Sequence, residues 1–103
     1  MLTLKRLTLS VPRALEETVT ETLLAMQPEV PGFSALEGSG HGEGFDHAGV
    51  EERVRGAIAR RLILLVLPGE DVVRVLDQLR RTLPHPDIVW WVEPVEAMGR
   101  LDR

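Results

Sequence analysis

The chain has 103 residues, the usual length of one domain, and its lack of cysteine excludes disulfides and thiolate metal sites. Its formal net charge of −4 gives no basic footprint for a phosphate backbone, so no nucleic-acid partner is expected. The longest apolar run, residues 62–67, is far shorter than the roughly 20 residues that cross a bilayer. Lys5 and Arg6 interrupt the N-terminal apolar residues, which argues against a signal peptide. We therefore expect one domain over residues 1–103 that is cytoplasmic and not membrane-embedded.

The first half of the chain predicts a strand, a helix and a second strand. Leu4, Leu7 and Leu9 alternate with polar residues, which indicates a strand over about residues 2–11. Pro12 fits the first turn of a helix, and apolar side chains then recur at helical spacing until the chain approaches Pro28. The stretch VPGFSALEG follows as a second strand.

The second half repeats this order. The stretch AIARRLILLVLP predicts a third, central strand, because its apolar run is continuous. GEDVVRVLDQLRRTL predicts a second helix with acidic residues at its start and arginines at its end, and IVWWVEPV a fourth strand. The order β-α-β-β-α-β predicts an α+β, ferredoxin-like domain, in which both helices cover one face of an antiparallel sheet.

The uncovered face of such a sheet would be apolar. Adjacent strand residues point to opposite faces, so the apolar side chains of the third and fourth strands cannot all face the helices. Trp90 and Trp91 are expected on opposite faces, one in the core and the other in an interface. We therefore predict an oligomer packed through the open sheet faces.

A glycine-rich, charged stretch, LEGSGHGEGFDHAGVEERVRG, lies between the second and third strands. Gly38, Gly40 and Gly42 alternate in it, so their backbone could form an anion-binding nest, or the stretch is a plain loop. Its arginines Arg53 and Arg55, and Arg60 and Arg61 just beyond it, could bind phosphate or carboxylate, or pair with glutamates.

The same stretch offers candidate metal ligands. His41 and His47 lie there with Asp46, and imidazole with carboxylate suits zinc, nickel or copper(II). The alternative is a solvated loop with incidental histidines. Enzyme activity is not expected, because the chain has no cysteine nucleophile, no serine in a nucleophile elbow and no converging carboxylate pair.

Several of these stretches resemble the PII-like signalling proteins. GFSALEGSGHGEG resembles the end of the second PII strand and the start of its long T-loop, and VEPVEAMGRL resembles the C-terminal strand, with Arg100 at its basic position. GHG, EERVRG and WWVEPV resemble a small bacterial PII-like family of unassigned function, whose genes often lie beside heavy-metal efflux systems. The chain departs from the PII pattern in four places. Gly42 stands where PII proteins have a glutamine, and the short loop LPHPD stands where they have a glycine- and lysine-rich phosphate-binding loop. Asp102 replaces a second arginine, and the chain has no tyrosine for the T-loop.

The resemblance implies a homotrimer with a mobile T-loop over about residues 39–56 and ligand clefts between subunits. The expected ligand is an adenine nucleotide, another small anion or a divalent transition metal, with Arg100 reaching a neighbouring cleft. The expected partner is a membrane transporter or efflux component. The alternatives are a CutA-like metal-binding protein of heavy-metal tolerance and a scaffold that binds only protein.

Overall fold

The computed structural model describes residues 3–41 and 58–102. Its strands are β1 (Leu4–Pro12), β2 (Phe33–Gly40), β3 (Ile58–Pro68) and β4 (Val89–Pro94). Its helices are α1 (Glu16–Leu24), which follows a 3-10 turn over Arg13–Leu15, and α2 (Gly69–Thr82). The strands form one antiparallel sheet in the order β2-β3-β1-β4. The predicted ferredoxin-like fold is therefore confirmed.

The strand register gives the sheet two faces of different character. Leu7 pairs with Leu65 and with Val92, which places all three side chains on the face that the helices cover. Ser10 pairs with Leu62 and with Val89 in the same way, on the opposite, open face. The alternation seen in the sequence therefore corresponds to these two faces.

The core lies between the helix-facing side of the sheet and the two helices. Thirteen hydrophobic side chains are buried there: Leu7, Leu9, Val11, Val19, Leu23, Met26, Ile63, Leu65, Leu67, Val72, Val75, Leu76 and Leu79. Burying a side chain of this size stabilises the fold by about 1.5–3 kcal/mol. The helix side of this core comes from Val19, Leu23 and Met26 on the α1 side and from Val72, Val75, Leu76 and Leu79 on α2.

The helix ends differ from the sequence prediction at one point. Pro12 leads into a single 3-10 turn, and α1 begins only at Glu16 and ends at Leu24, short of Pro28. The prediction for α2 is confirmed, because Glu70 and Asp71 lie in its first turn and arginines lie in its last turn.

The prediction for the tryptophan pair is half right. Trp90 pairs with Leu9 on the helix face and Trp91 with Thr8 on the open face, so they do point in opposite directions. Neither is in the core, since both remain more than 40% exposed (44% and 41%). In the sheet formed by the described residues, β4 is an edge strand. Arg80 lies 6.0 Å from the centroid of the Trp90 ring.

Candidate functional site

A cavity of about 430 Å³ opens at the end of the sheet where β2 leaves it and β3 enters it. We call this cavity the loop-root pocket, because it lies at the ends of β2 and β3 that residues 42–57 join in the sequence. It is lined by Ser10, Gly38, Ser39, Gly40, His41, Arg60, Leu62, Val89 and Trp91. The pocket thus draws on all four strands, from parts of the chain that are distant in sequence.

Arg60 forms the buried polar side of the loop-root pocket. Its Nε donates to the Ser10 hydroxyl at 3.1 Å, and its Nη2 donates to the Ser10 carbonyl at 2.6 Å. Nη2 also donates to the carbonyl of Asp87, in the turn before β4, at 2.5 Å. Burial lowers the pKa of the Arg60 guanidinium, while the nearby Asp87 carboxylate raises it. Arg60 therefore ties β3, β1 and the turn before β4 together at the pocket.

Trp91 forms the aromatic side of the loop-root pocket, and a carboxylate fixes its orientation. The indole N–H donates to Glu93 Oε1 at 3.2 Å, and the same oxygen accepts from Arg6 Nη2 at 2.7 Å. The hydrogen bond from Arg6 lowers the pKa of Glu93. The positive charge of Arg6 and the hydrogen bond from the Trp91 N–H lower this pKa further. The indole therefore lies beside Leu62 and Val89 in the pocket lining, with its N–H bonded to a carboxylate.

A second recess of about 360 Å³ lies at the same end of the β2–β3 pair and shares Gly38, Ser39 and Arg60 with the first. Arg61 lines it, with Nε 3.4 Å from a Glu16 oxygen and Nη1 3.1 Å from a Glu37 oxygen. Both interactions are ion pairs with a partly exposed partner. Arg61 thus makes ion pairs between side chains, whereas Arg60 bonds to Ser10 and to main-chain carbonyls.

Three of the predicted site residues line the loop-root pocket, namely Gly38, Gly40 and His41. Gly38 and Gly40 are the last part of β2 and pair with Arg60 and Ile58, so β2 extends two residues past the predicted start of the loop. A Cβ at Gly38 would lie 3.7 Å from Leu62, an ordinary contact, and its φ is not positive. Gly38 is therefore part of the β2–β3 ladder, and its role in an anion-binding nest remains a prediction.

The other predicted site residues are not brought to the pocket within the described part of the chain. Gly42, Asp46, His47, Arg53 and Arg55 lie outside the described residues. Arg100 lies in the exposed segment after β4. Within residues 3–41 and 58–102, no group of three His, Asp or Glu side chains could hold a metal ion.

Arg60 and Trp91 both shape the pocket. The sequence offers Arg60 only as one of four arginines that could bind phosphate or carboxylate, and Trp91 only as a core or interface residue. The alternation along β3 indicates that Arg60 lies on the same sheet face as Leu62. In the structure its cross-strand neighbour on β2 is Gly38. The partner of Arg60 could not be found in this way, because Ser10 lies 50 positions away.

The open sheet face continues from the pocket as an apolar surface. Leu36, Val89 and Trp91 are all more than 40% exposed on it, and Leu62, Leu64 and Val66 are half-buried between them. The Thr8 hydroxyl is buried in the middle of this face without a hydrogen-bond partner in the described structure. We call this the open-face patch.

The fold is that of a PII-like protein, and solved structures of that class superpose on the chain. CPII, a nitrogen regulatory PII-like protein from Thiomonas intermedia K12 bound to ADP, AMP and bicarbonate, gives a TM-score of 0.69 at 21% identity, covering 96% of this chain and 97% of that one. A PII-like signalling protein from Thermus thermophilus gives 0.63 at 21% identity, covering 91% and 88%.

The chain belongs to the family described as "Protein of unknown function (DUF3240)", which matches residues 1–102. A crystal structure of a DUF3240 family protein from Shewanella baltica OS155 superposes with a TM-score of 0.78 at 19% identity, covering 99% of this chain and 100% of that chain. No curated protein matches the sequence. Among the described residues, no helix is both long and apolar enough to span a membrane.

Proposed function

We propose that this chain is a PII-like regulatory protein that binds an adenine nucleotide in the loop-root pocket. The observation that carries the proposal is the position of the pocket. Gly40 and His41, which lead into the segment 42–57, line it, and β3 begins beside it at Ile58. A ligand there would contact the root of the segment 42–57, so its binding could change the surface that this segment presents to a partner.

The lining of the pocket suits a ligand with an apolar ring and a polar end. Leu62, Val89 and the fixed indole of Trp91 form one apolar side. Ser39 and His41 also line the pocket, and Arg53 and Arg55 are the proposed cations for the phosphates. The binding of ADP and AMP by CPII, which has the same fold, supports this choice of ligand.

We further propose that the protein is a homotrimer that assembles through the open-face patch. Leu36 is 52% exposed there, beside Leu62 and on the same face as Val89. Exposed apolar surface of this extent favours association, and removing it from water stabilises a complex by about 25 cal/mol per Å². In such a trimer the pocket would lie in a cleft between two subunits. Arg100 of the neighbouring subunit is proposed to contact the ligand there.

The proposed role is binding and signalling in the cytoplasm without catalysis. The proposed target is a membrane transporter or efflux component, which the segment 42–57 would contact. The alternative of a metal-binding tolerance protein depends on His47 and Asp46, which lie outside the described residues.

The test is a calorimetric titration of ATP, ADP and AMP into wild type and two glycine variants. Gly38→Val places a branched side chain at the pocket, where a Cβ meets only Leu62, at 3.7 Å. Gly32→Val is the matched control, because a Cβ there meets nothing within 4 Å. We expect wild type and Gly32→Val to bind alike and Gly38→Val to bind at least about tenfold more weakly, about 1.4 kcal/mol.

The same titration separates the alternatives. Absence of nucleotide binding by wild type, in buffer with and without magnesium, would overturn the nucleotide proposal. Binding of zinc, copper or nickel by wild type, and its loss in the His41→Ala, His47→Ala double variant, would replace it with the metal function. Equal nucleotide affinity of wild type and Gly38→Val would show that the nucleotide does not bind in the loop-root pocket.

A further inference from the structure

A groove open to solvent lies between the two helices, on the side of the molecule opposite the open-face patch. It has a volume of about 700 Å³ and is lined by Thr18, Glu21, Thr22, Ala25, Met26, Gln27, Gln78, Arg81 and Thr82. Thr18, Glu21, Thr22 and Ala25 recur at helical spacing along α1 and into its C-cap, and Gln78, Arg81 and Thr82 do the same on α2. We call this the interhelical groove. It shares no lining residue with the loop-root pocket.

Opposite charges line the two walls of the groove without pairing. Glu21 lies on α1 and Arg81 on α2, and they do not form an ion pair with each other. Within residues 3–41 and 58–102, neither charged group has another ion pair or side-chain hydrogen bond. The neighbouring arginines differ, since Arg80 pairs with Asp77 and Arg74 with Asp71. Both side chains are exposed, so the groove presents a carboxylate and a guanidinium from opposite sides, each open to a ligand.

A third polar group in the groove lacks a partner. The Gln78 side-chain oxygen is buried and accepts no hydrogen bond from the described residues. Buried acceptors are nearly always satisfied in folded proteins, so an unpaired one marks a group that gains from a ligand. Gln78 lines the groove, so its amide borders the space that a ligand would occupy. A ligand that brings an N–H donor would then satisfy it.

The remaining lining defines the part of a ligand that carries no charge. Met26 is 4% exposed and forms the buried apolar floor, and Ala25 lies beside it in sequence. The thioether side chain of methionine adapts its shape to small apolar groups. An apolar substituent of a bound molecule therefore has a place between the two charged walls.

We infer that the interhelical groove binds a free α-amino acid with an apolar side chain. Its ammonium group would donate to the Glu21 carboxylate and to the Gln78 amide oxygen, and its carboxylate would accept from the Arg81 guanidinium. Hydrogen bonds between charged partners are the strongest kind available to such a ligand. Its side chain would lie on Met26. This site goes beyond the proposed nucleotide function and does not depend on it.

The test is a titration of the free apolar amino acids, leucine, methionine and phenylalanine among them, monitored by ligand-observed NMR and calorimetry. N-acetyl derivatives, which lack the ammonium group, and amino-acid amides, which lack the carboxylate, serve as ligand controls. We expect at least one free amino acid to bind in the millimolar range or tighter, and both derivatives to bind at least about tenfold more weakly.

Matched variants assign the contacts. Arg81→Gln and Glu21→Gln should each reduce the affinity at least about tenfold, whereas their neighbours in sequence, Arg80→Gln and Glu17→Gln, should leave it unchanged. Gln78→Met keeps the volume and should weaken binding while the protein stays folded by circular dichroism. The inference is overturned if no free amino acid binds to folded wild type. It is overturned equally if binding survives in Arg81→Gln and Glu21→Gln.

Discussion

Replacing Arg60 is the sharpest test of how the loop-root pocket is built. The residue is 4% exposed, and its guanidinium donates to Ser10 Oγ, to the Ser10 carbonyl and to the Asp87 carbonyl. Arg60→Met keeps much of the chain length but leaves these acceptors without their donor. Hydrogen bonds to charged groups contribute about 1.5–3 kcal/mol each, and a buried acceptor left without its donor costs about 1–3 kcal/mol. We expect the free energy of unfolding to fall by about 3–5 kcal/mol.

The assay is urea unfolding followed by the fluorescence of the two tryptophans, at equal protein concentration because assembly makes apparent stability depend on concentration. Arg61→Met is the matched control. It occupies the next position on β3 and, within residues 3–41 and 58–102, pairs with Glu16 and the exposed Glu37, so its loss should cost about 1 kcal/mol or less. If Arg60→Met and Arg61→Met lowered stability equally, by less than about 1 kcal/mol, the role assigned to Arg60 would be wrong.

Three further predictions follow from the described contacts. Leu36→Asp, on the open-face patch, should dissociate the proposed trimer, as measured by light scattering after gel filtration. The control Val73→Asp, at an exposed position of α2, should leave the trimer intact. An unchanged mass for Leu36→Asp would refute assembly through that face. Arg80→Gln should destabilise the fold by about 0.5–1 kcal/mol and alter Trp90 fluorescence, because the guanidinium lies over the ring; an unaltered emission spectrum would argue against the contact. Arg6 lowers the pKa of Glu93, so Glu93 should stabilise the fold relative to Glu93→Gln above the ordinary carboxyl pKa of 4.5. This stabilisation should disappear as the pH falls below that value and through the lowered pKa. A difference in unfolding free energy that does not depend on pH would contradict the pairing.

The sequence was sufficient to predict the fold because its local patterns agree with the final packing. The alternation along β1 and the helical spacing along α2 each identify a buried face from neighbouring residues alone. Each element was predicted within a few residues at its ends, except α1, where one turn is a 3-10 helix.

The pocket was predicted less completely because it depends on register between distant strands. Gly38, Gly40 and His41 were identified because they lie beside the loop. The bonds from Arg60 to Ser10 and Asp87 join segments 50 and 27 positions apart, and no local pattern gives that distance. The exposure of Trp90 also required the strand order, which puts β4 at an edge. The interhelical groove likewise depends on how α1 and α2 pack.

The most direct measurement of the central claim is amide hydrogen exchange of the whole protein with and without saturating ADP. We predict slower exchange at residues 38–41 and 58–62, which border the loop-root pocket, and in the segment 42–57 that joins them, with little change along α2. Exchange that is identical with and without ADP at all of these positions would contradict the proposal that this pocket receives the ligand and passes its binding to the segment beside it.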